Sequence, residues 1–456
     1  MDAPGAPKAV APRRGGAWPP CFLRVPVDAS QPTVLVLTAP TGAGHDSTAA
    51  ALADALRATL PRARVLVRNP LGARAAGVSR VGWWYDLVVA RAPRLWGWLY
   101  YLSNNRCGVR LGAAIVAALY GRRLRATVRA TRPALIVSVH PLCVRLAAHS
   151  LRRVRRPAPH HCMVTDLASI HRYWASGDVS AFYAATPRAA AALESHGIPA
   201  GRIRVTGLPL RRAFAAPPLG VADDGDPTPR VVVLDGGRAT RTLERAVRAL
   251  LASGAPLCLT VVCGGNDRLR RRLAAATTGR ATVLGWCGDV AGVMRASSVV
   301  VTKAGSATLA EAWSQARPTL VYRVLPGQEE GNVALLDRDG WGEYVSCAGA
   351  LPSAVRRVHG RGPGMREATW WGQAADRVAA HVVDALGTPA RVTLDGHGPR
   401  PTPAAPHATR GYPAPATAKM GHADRARSQP YRGGAYRGGG RRPPLDTTRI
   451  EEDCSP

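Results

Sequence analysis

The chain has 456 residues, of which 46% are apolar and 20% are charged, so it is long enough for two or three domains with buried cores. No apolar run reaches the ~18 residues that cross a bilayer, and we expect no signal peptide because the start lacks an apolar segment. Nine cysteines are scattered without a C-x-x-C pair. This pattern argues against a disulfide framework or a metal site and favours a reducing cytosol.

The net charge of +31 is distributed unevenly along the chain. Residues 31–215 hold 26 Arg and six acidic residues, whereas residues 216–387 hold 20 basic and 16 acidic residues. Because the excess charge is concentrated in the first of these parts, we expect that part to face an anionic partner. A membrane surface and a nucleic acid both fit this charge.

Both ends of the chain, residues 1–30 and 388–456, are rich in Pro and Gly, lack hydrophobic periodicity and are predicted to be disordered. The C-terminal segment "YRGGAYRGGGRR" is similar to the RGG segments of RNA-binding proteins. A non-enzymatic nucleic-acid-binding protein is therefore one alternative. The tail holds little of the excess charge and no RNA-binding module is visible, so we regard nucleic acid as an unlikely partner.

The region between these ends begins with a strand, a Gly-rich turn and a helix. "TVLVLT" (33–38) is a β-branched run, "APTGAGHDS" follows as the turn, and an Ala- and Leu-rich helical pattern comes next. "RVLVRN" (64–69) predicts a second strand and hence a βαβ unit. Further strands are predicted at residues 134–140, 160–166, 181–186 and 202–209.

A segment rich in Pro, Gly and Asp, residues 216–229, is typical of a linker. A second alternating series follows it, with strands at 230–237, 256–265, 281–286, 298–305 and 318–324 and helices at 240–252, 267–276, 308–316 and 369–387. The two series predict an α/β protein with two doubly wound domains, residues 31–215 and 230–387. Since ligands bind at the carboxyl ends of parallel strands, we expect the site in the cleft between these domains.

Residues 83–101, "WWYDLVVARAPRLWGWLYY", contain seven of the 25 aromatic residues of the chain. Trp and Tyr with interspersed Arg suit the headgroup layer of a membrane. We therefore predict that Trp83, Trp84, Trp96 and Trp98 face a membrane surface. A buried helix pair is the alternative.

"VTKAGSATLAEAW" (301–313) contains Lys303, the only lysine outside the Pro- and Gly-rich ends. A strand that ends at Lys303 and continues through Gly305 into a helix offers free N–H groups to an anion. The alternative is a T-x-x-E capping box formed by Thr308 and Glu311, in which Glu311 would only satisfy the helix start.

The next loop, "LPGQEEGN" (325–332), concentrates amides and carboxylates directly after a predicted strand. Such groups suit hydrogen bonds to the hydroxyls of a sugar. A solvated surface turn is the alternative.

Together these motifs resemble those of the diacylglycerol glycosyltransferases: the monogalactosyldiacylglycerol (MGDG) synthases and their bacterial glucosyl counterparts, which are related to the N-acetylglucosaminyltransferase of peptidoglycan synthesis. The resemblance covers most of residues 33–345. It rests on the stretch from "TKAG" to "PGQEEGN" and on "GAGHDS" (42–47), "VSVHPL" (137–142), "VTDLASIHRYW" (164–174), "GLPLR" (207–211), "CGGN" (263–266) and "GWCGDV" (285–290).

The resemblance implies a GT-B fold, in which two Rossmann-like domains face a cleft, the first holding the acceptor and the second a UDP-sugar. It implies inversion at the sugar carbon without an essential metal or other cofactor. The donor site that it implies comprises Gly264, Asn266, Gly285, Trp286, Val290, Lys303, Gly305, Ser306, Ala307, Thr308, Glu311, Gln328, Glu329 and Asn332. In this set residues 305–308 hold the diphosphate, Glu311 the ribose, residues 328–329 the sugar and residues 285–290 the uracil.

An inverting transfer needs a base at the cleft that titrates near neutrality. His45 meets both conditions, and Asp166 is the second candidate, either as the base or to orient His45. The acceptor side would be lined by Gly42, Gly44, His140, His171 and Trp174.

The sequence departs from the family pattern in its Gly-rich turns. Ala43 replaces a Gly, Asp46 stands where a basic residue is usual, and "GSAT" replaces "GPGT". These departures leave the sugar and the acceptor open.

The sequence therefore predicts transfer of a hexose from UDP-glucose or UDP-galactose to a lipid, most simply diacylglycerol. We expect a peripheral protein on the inner face of the cell membrane. We expect the source to be bacterial, since the Ala- and Arg-rich composition is typical of a high-GC genome. A GT-B enzyme acting on a polyprenyl or soluble natural-product acceptor is the alternative.

Overall fold

The computed structural model describes residues 31–39, 43–72, 87–89, 91–154, 158–216, 228–236, 241–359, 361 and 364–387. The predictions made for Gly42, Trp83, Trp84, both chain ends and most of the linker fall outside these residues. The predicted domain boundaries accordingly stay a prediction.

The first half of the chain forms a sheet of six parallel strands: β1 (Thr33–Leu37), β2 (Arg64–Arg68), β3 (Leu135–Ser138), β4 (His160–Val164), β5 (Ala181–Ala184) and β6 (Ile203–Val205). Its order is β2-β1-β3-β4-β5-β6. The helices of this half are α1 (Ala43–Thr59), α2 (Pro93–Ser103), α3 (Arg106–Thr131), α4 (Pro141–Leu151) and α5 (Pro187–Ser195). Strands β3 and β4 are buried throughout; β3 is an apolar run that ends in Ser138, whereas β4 begins with the two buried residues His160 and His161.

The second half forms another parallel sheet of six strands: β7 (Arg230–Leu234), β8 (Cys258–Val262), β9 (Thr282–Leu284), β10 (Val299–Lys303), β11 (Thr319–Arg323) and β12 (Gly342–Tyr344). Its order is β12-β11-β10-β7-β8-β9. Its helices are α6 (Arg241–Ala252), α7 (Asp267–Ala276), α8 (Val290–Arg295), α9 (Ser306–Ser314), α10 (Glu330–Asp339), α11 (Leu351–Val358), α12 (Met365–Gly372) and α13 (Ala374–Leu386). The prediction of two doubly wound parallel sheets is confirmed.

Each sheet reverses its winding direction at one point. The reversal lies between β1 and β3 in the first sheet and between β7 and β10 in the second. The segments that follow β1 and β10 therefore border the crevices in which doubly wound sheets bind ligands.

The end of the ordered region differs from the single helix that the sequence predicts at 369–387. Helix α12 ends at Gly372, and α13 begins at Ala374 and packs against α1 of the first half. The Arg377 guanidinium donates from Nε to the carbonyl oxygen of Thr206 at 3.0 Å. One apolar core consequently continues from the first sheet to the second.

No helix among the described residues is long and apolar enough to span a membrane.

Candidate functional site

His45 lies in the first turn of α1, at the carboxyl edge of the first sheet. Its Nδ1 lies 2.9 Å from the carbonyl oxygen of Val139 and 3.0 Å from Oγ1 of Thr165. Because a carbonyl oxygen only accepts hydrogen bonds, Nδ1 carries the proton and Nε2 is the basic nitrogen. Burial lowers the pKa of His45 to about 4, against the opposing effect of the Val139 carbonyl. The imidazole is therefore neutral near pH 7. The expectation that His45 titrates near neutrality is wrong, because burial disfavours the charged form of the ring.

Asp166 lies just beyond the end of β4 and is buried. Its Oδ2 accepts a hydrogen bond of 2.7 Å from Nε1 of Trp174, whose ring centroid lies 6.3 Å from that of His45. Its Oδ1 accepts a longer bond of 3.4 Å from Nε2 of Gln328 in the second half. Burial raises the pKa of Asp166 to about 6, although both hydrogen bonds oppose the rise. This carboxyl group therefore titrates at about pH 6, and the Trp174 side chain connects it to the His45 ring.

The other two predicted cleft histidines have structural partners. Nδ1 of His140 accepts from the amide of Leu142 and so caps α4, while its ring packs edge-on against His45 with centroids 4.5 Å apart. Nδ1 of His171 accepts from the amide of Tyr173, and its Nε2 donates to the carbonyl oxygen of Tyr100 at 3.2 Å. His171 thereby ties the end of α2 to the segment after β4.

The helix after Lys303 begins directly after Gly305, which is the position that the predicted anion site requires. Gly305 is the N-cap of α9 and the helix starts at Ser306, so Thr308 already lies inside it. The capping-box interpretation of Thr308 and Glu311 is therefore wrong, because a capping box needs Thr308 at the cap position. The amide of Gly305 donates to the carbonyl oxygen of Lys303 at 2.8 Å, so the half-buried Ser306 and Ala307 supply the amides that remain for an anion.

The structure brings the first turns of α1 and α9 together. A Cβ placed on Gly44 would lie 3.4 Å from Cβ of Ala307. The predicted base and the predicted diphosphate site consequently lie side by side, although their residues are more than 250 positions apart in the chain.

The Lys303 side chain lies over Gly305, the N-cap residue of α9. Its ammonium group pairs with Oε1 of Glu329, while Oε2 of Glu329 accepts from the amide of Leu325 at 3.0 Å. A Cβ on Gly305 would lie 3.2 Å from Nζ of Lys303, so the lysine lies directly over the start of α9. Both carboxylate oxygens of Glu329 are thus engaged within the protein, which makes this residue a brace for the loop.

Asn332 braces the same loop from the other side. Its buried amide donates 2.8 Å to the carbonyl oxygen of Ala304 and 3.3 Å to Oγ of Ser306. Gln328 is half-buried and reaches Asp166 across the cleft. The loop 325–332 is therefore held against the start of α9 and directs an amide towards the first half.

Glu311 lies in the buried face of α9, and burial raises its pKa to about 7. The charge of Arg211 opposes this rise. Nε of Arg211 is buried without a hydrogen-bond partner in the described part of the chain, and its guanidinium carbon lies 5.5 Å from the ring of Phe214. Arg211 was not among the predicted site residues, although "GLPLR" in the sequence was the signal for it.

The remaining predicted donor residues line the loops after β8 and β9. Gly264 has a φ of +56°, which favours glycine, and Asn266 caps α7. Gly285 and Trp286 precede α8, which starts at Val290. The Trp286 side chain is 76% exposed, which is unusual for a large aromatic residue.

Helix α2 packs against the donor loop, a contact that the sequence did not indicate. The hydroxyl of Tyr101 donates to Oε2 of Glu330. A Cβ on Gly327, whose φ is +80°, would lie 2.6 Å from Cδ1 of Tyr100. The first half thus packs against one side of the loop that, by the resemblance, binds the sugar.

A second contact joins the same loop to the segment after β4. Oγ of Ser169 accepts from the amide of Gly331 at 2.9 Å, while the carbonyl oxygen of Ser169 accepts from the Tyr100 hydroxyl at 3.0 Å. Ser169 therefore links α2 to the start of α10.

Helices α2 and α3 carry an exposed apolar surface. On α2 the side chain of Trp98 is 60% exposed, whereas Trp96 is half-buried. The other exposed large apolar residues of these helices are Leu95, Leu99, Tyr101, Leu102, Leu111, Ile115 and Leu119. This observation favours a membrane-facing surface over the buried helix pair for the described part of residues 83–101.

Among the described residues, no group of three or more His, Cys, Asp and Glu side chains is placed to hold a metal ion.

Comparison with known sequences identifies relatives. Residues 45–210 match the sequence model of the family described as monogalactosyldiacylglycerol (MGDG) synthase. The probable monogalactosyldiacylglycerol synthase 2, chloroplastic, of Oryza sativa subsp. japonica is 28% identical over 348 residues, covering 72% of this chain and 73% of the relative. The chloroplastic monogalactosyldiacylglycerol synthase of Spinacia oleracea is 26% identical over 363 residues, covering 74% and 69% respectively.

Solved structures show the same fold at lower identity. The calicheamicin glycosyltransferase CalG4 superposes with a TM-score of 0.54 at 14% identity, covering 80% of this chain and 99% of the neighbour. The glycosyltransferase of kitacinnamycin gives a TM-score of 0.50 at 15% identity, covering 79% and 100%. The two-sheet architecture is therefore the GT-B fold.

Proposed function

We propose that this chain, a glycosyltransferase related to the monogalactosyldiacylglycerol synthases, moves a hexose from a UDP-sugar to a lipid acceptor, diacylglycerol, at a membrane surface. The observation that carries the proposal is the approach of Gly44 to Ala307. It sets a neutral imidazole with a basic Nε2 next to a helix start with open amide groups. A proton acceptor and an anion site side by side are what displacement of a diphosphate by a hydroxyl requires.

In the proposed reaction, His45 acts on the acceptor. The acceptor hydroxyl attacks the anomeric carbon while Nε2 of His45 takes its proton. A pKa of about 4 keeps the imidazole unprotonated before the reaction. The hydroxyl becomes acidic as its oxygen bonds to the anomeric carbon, so the proton transfer is favourable only late in the step. Asp166, ionised above about pH 6, then stabilises the imidazolium.

The leaving group is bound by the second half. The bond from the anomeric carbon to the diphosphate oxygen breaks with its electron pair, and the new negative charge develops at the first turn of α9. The amides of Ser306 and Ala307 and the positive end of the helix dipole stabilise it. Arg211 adds a cation close to Glu311. A single displacement of this kind inverts the anomeric configuration.

The lipid acceptor is supported by the surface that α2 and α3 expose. Trp98 and its apolar neighbours belong to the first half of the chain, where residues 31–215 include 26 Arg and six acidic residues. Apolar side chains insert among the lipid headgroups, and arginines pair with the lipid phosphates. The two contributions strengthen membrane binding together. We infer peripheral binding to the cytoplasmic face of the membrane, with α2 placing the acceptor next to the donor loop.

The test is transfer from UDP-galactose or UDP-glucose to diacylglycerol in phospholipid vesicles, followed by UDP release and glycolipid formation. We expect one of the two donors to give product, and His45→Gln to lower kcat by about 10²–10⁴-fold without a change in thermal stability. Soluble acceptors and a polyprenyl phosphate serve as parallel arms. Transfer to one of these and not to diacylglycerol, or full activity of His45→Gln, would contradict the proposal.

A further inference from the structure

Arg323 and Asp235 form an ion pair at the carboxyl edge of the second sheet. Nη1 of Arg323, the last residue of β11, lies 3.5 Å from Oδ2 of Asp235, which directly follows β7. The Asp235 side chain is fully buried, whereas the Arg323 side chain is 22% exposed. The guanidinium is therefore the part of this pair that a ligand can reach.

The ion pair crosses the end of β10. Strands β11 and β7 are not neighbours, because β10 lies between them in the sheet. Neighbouring strands lie about 4.8 Å apart, so the pair spans about 9.6 Å across two such spacings. The Arg323 side chain consequently lies over the point at which the chain leaves β10 and continues through Ala304 and Gly305 into α9. This point borders the crevice between β7 and β10, where the second sheet reverses its winding.

An irregularity in the sheet directs Arg323 towards this crevice. Thr302 of β10 pairs with Val321. The next residue, Lys303, pairs with Arg323, so β11 holds one extra residue at this point. A bulge of this kind bends its strand and redirects the side chains that follow it, and such bulges are frequent next to active sites. The amide of Ala304 donates to the carbonyl oxygen of Arg323 at 2.8 Å, which fixes the end of β11 close to the start of α9.

Most of the hydrogen-bonding capacity of the Arg323 guanidinium is unused. A guanidinium has five N–H groups. Within the described part of the chain, the contact with Asp235 is the only hydrogen bond that this guanidinium forms, and its length is at the upper limit for an N–H···O bond. By contrast, the neighbouring Lys303 pairs with Glu329, both of whose carboxylate oxygens are engaged. Arg323 is therefore a cation with open donors beside the start of α9.

The space next to this pair is open among the described residues. Gly236 follows Asp235 with a φ of +74°, and a Cβ placed on it would meet no described atom within 4 Å beyond its chain neighbours. A buried ion pair adds little to stability, because the loss of hydration offsets the attraction of the two charges. A ligand with anionic oxygens would use the open N–H groups of the guanidinium in full.

We propose that Arg323, held over the crevice by Asp235, binds the diphosphate of the donor. The inference rests on the proposed function and adds to the donor site a residue that neither the motifs nor the resemblance indicated. When the bond from the anomeric carbon to the diphosphate oxygen breaks, its electron pair stays on that oxygen. The guanidinium then shares the new negative charge with the amides of Ser306 and Ala307.

The experiment measures the affinity of the full-length protein for UDP by isothermal titration calorimetry and for uridine by ligand-observed NMR. Arg323→Gln alone would leave Asp235 buried without its counter-charge and would destabilise the fold. The test variant is therefore Arg323→Gln/Asp235→Asn, which removes both charges and leaves the net charge unchanged. The matched control is Arg357→Gln/Glu343→Gln, which removes an ion pair at the edge strand β12 of the same sheet.

We expect the test variant to bind UDP about 10–100-fold more weakly than the wild type, because charge-assisted hydrogen bonds to the diphosphate are lost. Its affinity for uridine should not change, and the control should match the wild type for both ligands. Equal affinity of the test variant and the wild type for UDP would overturn the inference, since the ion pair would then be purely structural. An equally large loss of uridine affinity would also overturn it, because the substitutions would then have disturbed the whole site.

Transfer assays with diacylglycerol separate this inference from the proposed function. Weaker UDP binding by the test variant, together with no hexose transfer by the wild type, would refute only the proposed function. Transfer by the wild type, together with unchanged UDP affinity in the test variant, would refute only the role of Arg323. A wild-type protein that binds no UDP would refute both.

Discussion

Replacement of Asp166 by Asn should stabilise the protein while it impairs the reaction. The carboxyl group is buried, and burial raises its pKa from 3.8 to about 6. A carboxyl group whose pKa is raised by folding favours the folded state in its protonated form, and that advantage is lost as the pH rises through about 6. Asn has nearly the same shape, and its oxygen accepts the bond from Trp174 without carrying a charge.

The magnitude follows from the size of the pKa rise. Each pKa unit corresponds to about 1.4 kcal/mol, so ionisation of Asp166 costs the folded state about 3 kcal/mol at pH 8 and about 1.5 kcal/mol at pH 5. The free energy of unfolding of Asp166→Asn should exceed that of the wild type by these amounts. The transfer rate should fall by about 10²-fold, because the imidazolium formed at His45 loses its counter-charge.

Urea unfolding at a series of pH values from 5 to 8, together with transfer assays, measures both effects. Asp178→Asn is the matched control, since Asp178 forms an exposed ion pair with Arg152 and its loss should cost at most about 1 kcal/mol. A gain that does not grow with pH, or destabilisation at every pH, would refute the assignment of Asp166 as a buried group that ionises near pH 6.

Three further outcomes follow from the donor loop. Tyr101→Phe removes the hydroxyl that donates to Glu330, so the free energy of unfolding should fall by at most about 1 kcal/mol, and the KM for the UDP-sugar should rise because the donor loop loses its hydrogen bond to α2. Gly331→Ala places a Cβ 2.6 Å from Oγ of Ser169, so kcat/KM should fall while the separately measured affinity for vesicles stays constant. Asn332→Ala leaves the carbonyl oxygen of Ala304 without its buried donor and should lower the free energy of unfolding by about 1–3 kcal/mol in urea titrations. A KM, a kcat/KM and an unfolding free energy equal to those of the wild type would respectively contradict these three expectations.

The strands were predictable because parallel strands that are buried on both faces consist of uninterrupted β-branched and apolar residues. All eleven predicted strands are present, and most of their ends lie one to four residues inside the predicted bounds. Strand β12 was missed because its three residues, 342–344, include a glycine and form no apolar run. The break between α12 and α13 was missed because Gly372, tolerated inside many helices, here marks an end.

The positions of the candidate site residues along the strands were predictable, whereas their contacts were not. Motif order indicated which residues follow β1, β4 and β10, and the topology places those strand ends at the cleft. The pairing of Lys303 with Glu329 depends on how the loop after β11 folds against the end of β10. The pairing of Tyr101 with Glu330 depends on how α2 packs across to the second half, and periodicity in one sequence encodes neither contact. Arg211 was overlooked because its importance comes from burial of an unpaired Nε, a property of the folded chain.

The return of α13 to the first sheet affects how this enzyme can be recombined with its relatives. A chimera cut only at residues 216–229 would graft a foreign C-terminal helix onto α1, and would replace both the Arg377 bond to Thr206 and the stacking of His381 on Tyr183. An exchange of sugar specificity therefore needs two crossovers, one in that segment and one near Gln373, so that residues 374–387 stay with the half on which they rest.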